Sequence, residues 1–196
     1  MRAGFPPRFV LMRNAVPDRH VHRLLNHGPV TLVTTAHEGR RNVMAAAWVM
    51  PLDFEPAKFI AVIAADTFTR ELLLASRQCV VQAPTDAQID LVYSVGTTSG
   101  RDGDKFAQLG IQTSPAKTVL APLIEGCAAW IECDVIDEPS IADRYDLFVL
   151  QAKSAWADDT LWKDGSWNFA SGLPRTIHHE KGGRFFTTGE PVQARR

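Results

Sequence analysis

Cysteine is scarce in this chain. Cys79, Cys127 and Cys133 are the only three in 196 residues, and their spacings suit neither a disulfide framework nor a zinc site. An excess of charge of either sign is lacking too: the formal net charge is −1, which leaves no electrostatic footprint for nucleic acid or an anionic membrane. Long apolar runs are missing; Val43–Met50 and Phe59–Ala65 are far too short to span a bilayer. Arg2, Arg8 and Arg13 are not followed by the apolar core of a signal peptide, so the cytoplasm is the expected compartment. There is no Walker loop, no Rossmann glycine fingerprint, no catalytic triad pattern and no internal repeat. Metal-ligand spacing is absent as well. His178 and His179 would point to opposite sides of an extended chain, and His20 and His22 share a face only in a strand, whereas their segment reads as helix. Nucleic acid, membrane and metal partners are therefore not expected.

What is present is an ordinary globular composition, 45% hydrophobic and 22% charged, enough for a buried core in one domain with an appendage. Pro6-Pro7 and Pro17 mark residues 1–16 as an arm. Residues 17–155 read as the domain and 156–196 as a C-terminal extension, in which Trp162, Trp167 and Phe169 lack clear periodicity. Aromatics at that density call for a partner surface, on the domain itself or on a second subunit. Within the domain, Asp18–Asn26 reads as a short helix and Pro29–Ala36 as a strand turning at Glu38-Gly39. A second strand is expected from Asn42 to Met50 and a third over Phe59–Ala64. Thr67 is placed to cap a helix reaching Ser76. Cys79–Gln82 follows as a strand, Pro84-Thr85-Asp86 opens a helix towards Tyr93, and Asp104–Leu109 is a short helix stopped by Gly110. Strand patterns return over Ala128–Ile136 and Asp146–Ala155. Strands interrupted by short helices, without βαβ alternation, predict a mainly β barrel with flanking helices. Cys127 and Cys133, an even number apart, would face one side of a continuous strand as small buried hydrophobes.

Two segments carry chemistry. Arg41-Asn42-Val43-Met44-Ala45-Ala46-Ala47-Trp48 follows the predicted turn. Consecutive alanines on a strand leave backbone N–H and C=O groups uncovered, so a flat ligand can approach them closely. Asn42 can donate and accept hydrogen bonds, and Trp48 offers an apolar wall. The same alanines would equally make room for a helix packed close on a buried strand. The second segment, Val95-Gly96-Thr97-Thr98-Ser99-Gly100-Arg101-Asp102-Gly103-Asp104-Lys105-Phe106, combines glycines, hydroxyls, a guanidinium and an ammonium that could converge on a phosphate. An ordinary polar loop with Asp102 or Asp104 capping a short helix fits the same residues.

With these motifs in this order, the chain resembles the flavin reductase-like family of FMN-binding split-barrel proteins. Asn42–Trp48 is similar to the family's Asn-x-Met-Thr-x-Ser-Trp, and Pro56–Val62 followed by Thr67-Phe68-Thr69 to its Pro-x-x-Ile-x-Val and threonine turn. Ser99–Phe106 looks like Ser-Gly-Arg-Asp-x-Asp-Lys-Phe, and Ala129-Trp130-Ile131-Glu132-Cys133 like the family's Ala-Trp-Ile-Glu-Cys strand. The chain also departs from the pattern. Ala45 and Ala47 stand where threonine and serine are frequent, Gln82 replaces a common asparagine, and Arg144-Tyr145-Asp146 occupies the place of Gly-Asp-His in many flavin reductases. The missing histidine bears on NAD(P)H reductase activity more than on flavin binding.

The resemblance implies a split β-barrel that dimerises with itself and binds FMN at the subunit junction. It implies an oxidoreductase drawing on NADH or NADPH: a flavin reductase, or a flavoprotein that passes electrons to an unidentified acceptor or oxygenase. A split-barrel module holding a non-flavin ligand, and a structural dimer whose pocket has degenerated, as Ala45 and Ala47 would allow, are the alternatives. By the same resemblance, Asn42, Val43, Met44, Ala45, Ala46, Ala47 and Trp48 line the flavin ring and ribityl chain, beside the turn Ala64-Ala65-Asp66-Thr67. Thr67, Thr69, Arg101 and Lys105 are the phosphate candidates, with Ser99 and Gly100 in the same loop. His178 or His179 would reach the flavin from the tail. No protein acid or base is required, because a flavin accepts hydride itself.

Overall fold

The predicted hairpin starts the sheet. In the computed structural model, which describes residues 29–194, β1 (Thr31–His37) and β2 (Arg40–Ala46) pair antiparallel with Thr34 opposite Val43. The arm over residues 1–16, the helix Asp18–Asn26, His20 and His22 lie outside the described residues. The two turn residues have φ of 47° at Glu38 and 75° at Gly39, the left-handed pair that matches the twist of the flanking strands and that glycine adopts without a Cβ penalty.

β2 does not run on to Met50. It ends at Ala46, a corner follows at Ala47-Trp48, and β3 (Val49–Phe54) pairs with β4 (Ala57–Val62). Ala46 and Val49 are both buried in one core although three residues apart, which the two-residue period of a single strand does not allow. Further along are β5 (Gln78–Ala83), the short β6 (Thr113–Ser114) and β7 (Leu123–Ile124), β8 (Ala129–Ile136) and β9 (Leu147–Ala157). The main sheet runs β2-β1-β5-β8-β9-β4-β3, antiparallel throughout. Its two edges, β2 and β3, are consecutive in the chain, so the Ala47-Trp48 corner draws them together and the sheet curls into a split barrel.

Four α-helices flank it among the described residues. They are α1 (Phe68–Ser76), α2 (Ile89–Thr97, entered through a 3₁₀ turn at Asp86–Gln88), α3 (Lys105–Gln108) and α4 (Pro139–Tyr145). Thr67 caps α1 as expected: its Oγ1 accepts the Arg70 amide at 3.2 Å. Asp104 caps α3 by accepting the Phe106 amide at 2.9 Å. Alternate residues of β1 serve two cores. Val33 faces the barrel interior with Val81, Ile63, Leu150 and Leu73 of α1, whereas Leu32 joins Val43, Ile124, Ile177 and the α2 residues Val92 and Val95. Each leucine or isoleucine fully removed from water there contributes on the order of 2 kcal/mol.

The cysteines depart from expectation. Cys127 precedes β8 and packs in the α2 core, while Cys133 lies in the barrel interior directly opposite Cys79. The bend before β8 breaks the even-spacing argument, so the two do not share a side. All three are free and buried, and burial pushes the Cys127 thiol up to about 12. Gln82 is buried as well: it accepts the Ile124 amide at 2.5 Å and donates to Thr34 Oγ1 at 3.2 Å.

The tail has more order than its sequence suggested. β10 (Trp162–Lys163) and β11 (Ser166–Trp167) form a small hairpin, and β12 (Ile177–Lys181) pairs with β13 (Arg184–Thr187). The second hairpin is fastened to its own barrel, because the Ile177 carbonyl accepts the Val30 amide at 2.9 Å and Ile177 is fully buried. Trp162 meets Trp167 edge-on at 5.2 Å, and Trp167 stacks on Phe169 at 5.7 Å.

Candidate functional site

β2 and α2 approach until small residues touch. A Cβ added at Gly96 would lie 3.3 Å from the Ala45 Cβ, so a larger residue at either position would push helix and strand apart. Both readings of the alanine run hold together: the alanines admit a close helix, and cavities open on either side of the contact. One, of about 330 Å³, is mainly apolar, walled by Ala45, Ala46 and Ala47 of the β2 end, Val92 and Tyr93 of α2, and His179 and Phe185 of the tail hairpin. The other, of about 320 Å³, is polar and runs from Asn42 and Met44 past Asp66–Thr69 to the loop Thr97–Arg101 and Lys105. Ala45, Gly96 and Thr97 border both.

The floor of the polar cavity is over-determined. Asn42 is buried; its Nδ2 donates to Thr69 Oγ1 at 2.8 Å, while its Oδ1 has no partner. Gly100 crosses directly above. A Cβ there would stand 2.2 Å from Asn42 Oδ1 and 2.7 Å from the Phe68 ring, so only glycine fits. The Thr67 hydroxyl donates to the Ala64 carbonyl at 2.8 Å, and Ser99 Oγ accepts the Arg101 amide at 3.2 Å. At the rim, the Arg101 guanidinium donates to the Asp66 carbonyl at 2.7 Å and reaches Glu71 at 3.5 Å.

Lys105 sits beneath this loop, 4% exposed. Its Nζ donates to the Val43 carbonyl at 2.9 Å and the Val95 carbonyl at 2.8 Å. Val95 belongs to the last turn of α2, whose carbonyls lack intrahelical partners and carry the negative end of the helix dipole. Thr98 Oγ1 caps the neighbouring Ser94 carbonyl at 2.8 Å. Burial pulls the Lys105 ammonium down from an ordinary 10.5 to about 8. The lysine thus ties the loop to both α2 and β2 and places positive charge under the cavity.

Of the residues singled out from sequence, twelve line one cavity or the other: Asn42, Met44, Ala45, Ala46, Ala47, Asp66, Thr67, Thr69, Ser99, Gly100, Arg101 and Lys105. Val43, Trp48 and Ala64 line neither. Val43 points into the α2 core, Trp48 is half exposed at the barrel corner, and Ala64 contributes its carbonyl to Thr67. Of the two tail histidines, His179 borders the apolar cavity, its Nε2 2.9 Å from the Gly182 carbonyl. Phe68, Gly96, Thr97, Tyr93 and Phe185 also line the cavities and were not singled out as site residues. Gly96 had a local signal, being a glycine late in an apolar helical stretch. Asp146 is held by Arg70 at 2.6 Å and lines neither cavity.

Comparison with known proteins agrees with this architecture. Residues 23–171 match the flavin reductase like domain. The chain belongs to that family. It is 39% identical over 178 residues to the uncharacterized protein YddH of Escherichia coli (strain K12), covering 89% of this chain and 94% of that protein. Among solved structures it is similar to an FMN-binding domain of a flavin reductases-like enzyme from Shewanella baltica OS155. The two share 38% identity with a TM-score of 0.83, over 93% of this chain and 97% of the other. An FMN-binding protein from Thermus thermophilus, solved with bound 1-cyclohex-2-enone, is 25% identical with a TM-score of 0.77, over 96% and 100% of the two chains. The flavin reductase-like members of this family share the split-barrel fold seen here.

Proposed function

We propose that the two joined cavities bind FMN and that the protein is an FMN-dependent oxidoreductase supplied by NADH or NADPH. The observation that carries this reading is an apolar cavity beside a polar one, with Ala45, Gly96 and Thr97 bordering both. FMN has the same two-part character, a flat apolar ring joined by a hydroxylated chain to a phosphate, and the cavity sizes fall in the range of cofactor pockets. The ring belongs against Ala45–Ala47, Tyr93 and His179, and the phosphate against Ser99, Arg101 and the loop amides. Asn42 Oδ1, unpaired where it is buried, is the acceptor for a chain hydroxyl. Lys105 holds the loop and adds potential from below, acting as a positioning residue more than as a direct ligand. When bound, FMN supplies the hydride-accepting centre, so the chain's part is to bind, orient and exclude water.

A second reading within the same chemistry is an FMN protein that passes electrons to an acceptor without reducing free flavin. The Arg70–Asp146 ion pair favours it, because it commits a residue of the segment where many flavin reductases have Gly-Asp-His. Initial rates of NADH and NADPH oxidation, measured with and without excess free FMN, separate the two. Turnover that rises with free FMN supports the reductase; flavin reduction confined to one equivalent per chain supports the carrier.

We also propose a homodimer. On edge strand β3 and the corner before it, Trp48, Met50, Leu52 and Phe54, on either side of a bulge between Pro51 and Asp53, are 50%, 55%, 52% and 99% exposed. An apolar strip of that kind on a sheet edge calls for a partner. The tail tryptophans Trp162 and Trp167, by contrast, already pack on one another.

A further inference from the structure

Of the residues bordering the polar cavity, only Asp66, Arg101 and Lys105 are ionisable. Carboxylates and guanidiniums keep one charge state from about pH 7 to 10, so Lys105 is the group there whose charge can change in that range. Its ammonium has three N–H groups. Two are spent on the Val43 and Val95 carbonyls, which leaves one for a group in the cavity. The charged side chains around it are committed elsewhere. Asp104, its neighbour in the chain, pairs with Arg41 at 2.9 Å, and Glu71 of α1 pairs with Arg40 at 2.8 Å and Arg101 at 3.5 Å. The Cys127 thiol in the α2 core is held up at about 12 and stays uncharged. Among the described residues no carboxylate pairs with the Lys105 ammonium. Burial without a counter-charge is what pulls it down to about 8.

We propose that Lys105 couples FMN binding to proton uptake, so that the site holds the cofactor firmly near neutrality and lets it go in alkaline medium. The inference rests on the FMN reading of the two cavities. A phosphate monoester loses its second proton near pH 6, so FMN arrives as a dianion throughout the range in which Lys105 titrates. An anion placed above a buried ammonium favours the charged form, and the lysine that had released its proton takes it back. The two carbonyls that hold Nζ keep the side chain in place in either state, since a neutral amine still has two N–H groups to donate. Loss of the proton therefore removes charge from beneath the phosphate without moving the loop.

The test is isothermal titration calorimetry of the flavin-free protein with FMN at about pH 7, 8 and 9, in two buffers of different ionisation enthalpy at each pH. The difference between buffers gives the protons taken up per FMN bound. The wild type is expected to take up less than about 0.1 proton at pH 7 and about 0.5 at pH 8. Its affinity should fall about tenfold from pH 7 to pH 9. Riboflavin, which lacks the phosphate, should bring no proton with it. Lys105→Arg, whose guanidinium stays charged throughout, should show neither the uptake nor the fall. No proton uptake by the wild type at pH 8, equal uptake with riboflavin, or uptake that persists in Lys105→Arg overturns the coupling. Failure of FMN to bind the wild type at any pH overturns the FMN reading, and this inference with it.

Discussion

Lys105→Met is the perturbation whose consequences the structure fixes best. Methionine keeps the apolar stem and removes the ammonium, so packing beside Phe106 changes little while two buried carbonyls, Val43 and Val95, lose donors at 2.9 and 2.8 Å. A buried acceptor stripped of its partner costs about 1–3 kcal/mol, and the two together about 2–5 kcal/mol. For a chain of this length that lowers Tm by on the order of 10 °C. Urea unfolding followed by tryptophan fluorescence reads the loss as a shifted midpoint with an unchanged slope. The pH dependence adds a second signature. Burial lowers the folded-state lysine from 10.5 to about 8. Between those values the unfolded chain holds a proton that the folded chain has released, so this group's contribution to stability rises with pH across that window. As pH falls through 8 the gain is lost, and below that both states are protonated. The wild type should show the rise and Lys105→Met should not. A destabilisation below about 1 kcal/mol, or an identical pH profile in the two proteins, would refute the anchoring role.

Gly100→Ala should lower stability by about 1–3 kcal/mol and cut FMN affinity at least tenfold, because its Cβ would strike Asn42 Oδ1 and Phe68; wild-type affinity would sink the idea that this crossing shapes the site. Arg101→Ala should weaken FMN about tenfold and riboflavin hardly at all, since only FMN carries the phosphate; equal losses for both would move the phosphate elsewhere. Phe54→Asp combined with Leu52→Asp should convert a dimer to a monomer by light scattering at micromolar concentration. An unchanged mass would clear β3 of that role.

Local chemistry made much of the fold legible. The Glu38-Gly39 turn, the Thr67 cap and the Asp104 cap each follow from residues that satisfy their own neighbours, so a window of a few residues suffices. The corner at Ala47-Trp48 was hidden because the apolar run continues through it; only the barrel's closure requires Ala46 and Val49 to face one core. Helix α4 carries a readable signal in Pro139 at its first turn, and the β12–β13 turn another in Gly182-Gly183. In the site, motif residues of β2 and the Thr97–Lys105 loop were legible because they are contiguous. Tyr93, His179 and Phe185 were not placed, because they meet the alanines only through tertiary packing of α2 and the tail hairpin. Lys105 stood out in the sequence as a phosphate candidate, but its burial against two carbonyls depends on where α2 ends, which no local pattern gives.

The central claim is that the joined cavities hold FMN, and equilibrium titration of the flavin-free protein with FMN tests it most directly. Gly96→Leu serves beside the wild type, because a branched side chain there must fill the junction beside Ala45. The account predicts saturable binding of one FMN per chain to the wild type, with a shifted visible flavin spectrum, and at least tenfold weaker binding to the variant, whose far-ultraviolet circular dichroism stays native. No binding to the wild type, or equal binding to both proteins, would contradict it.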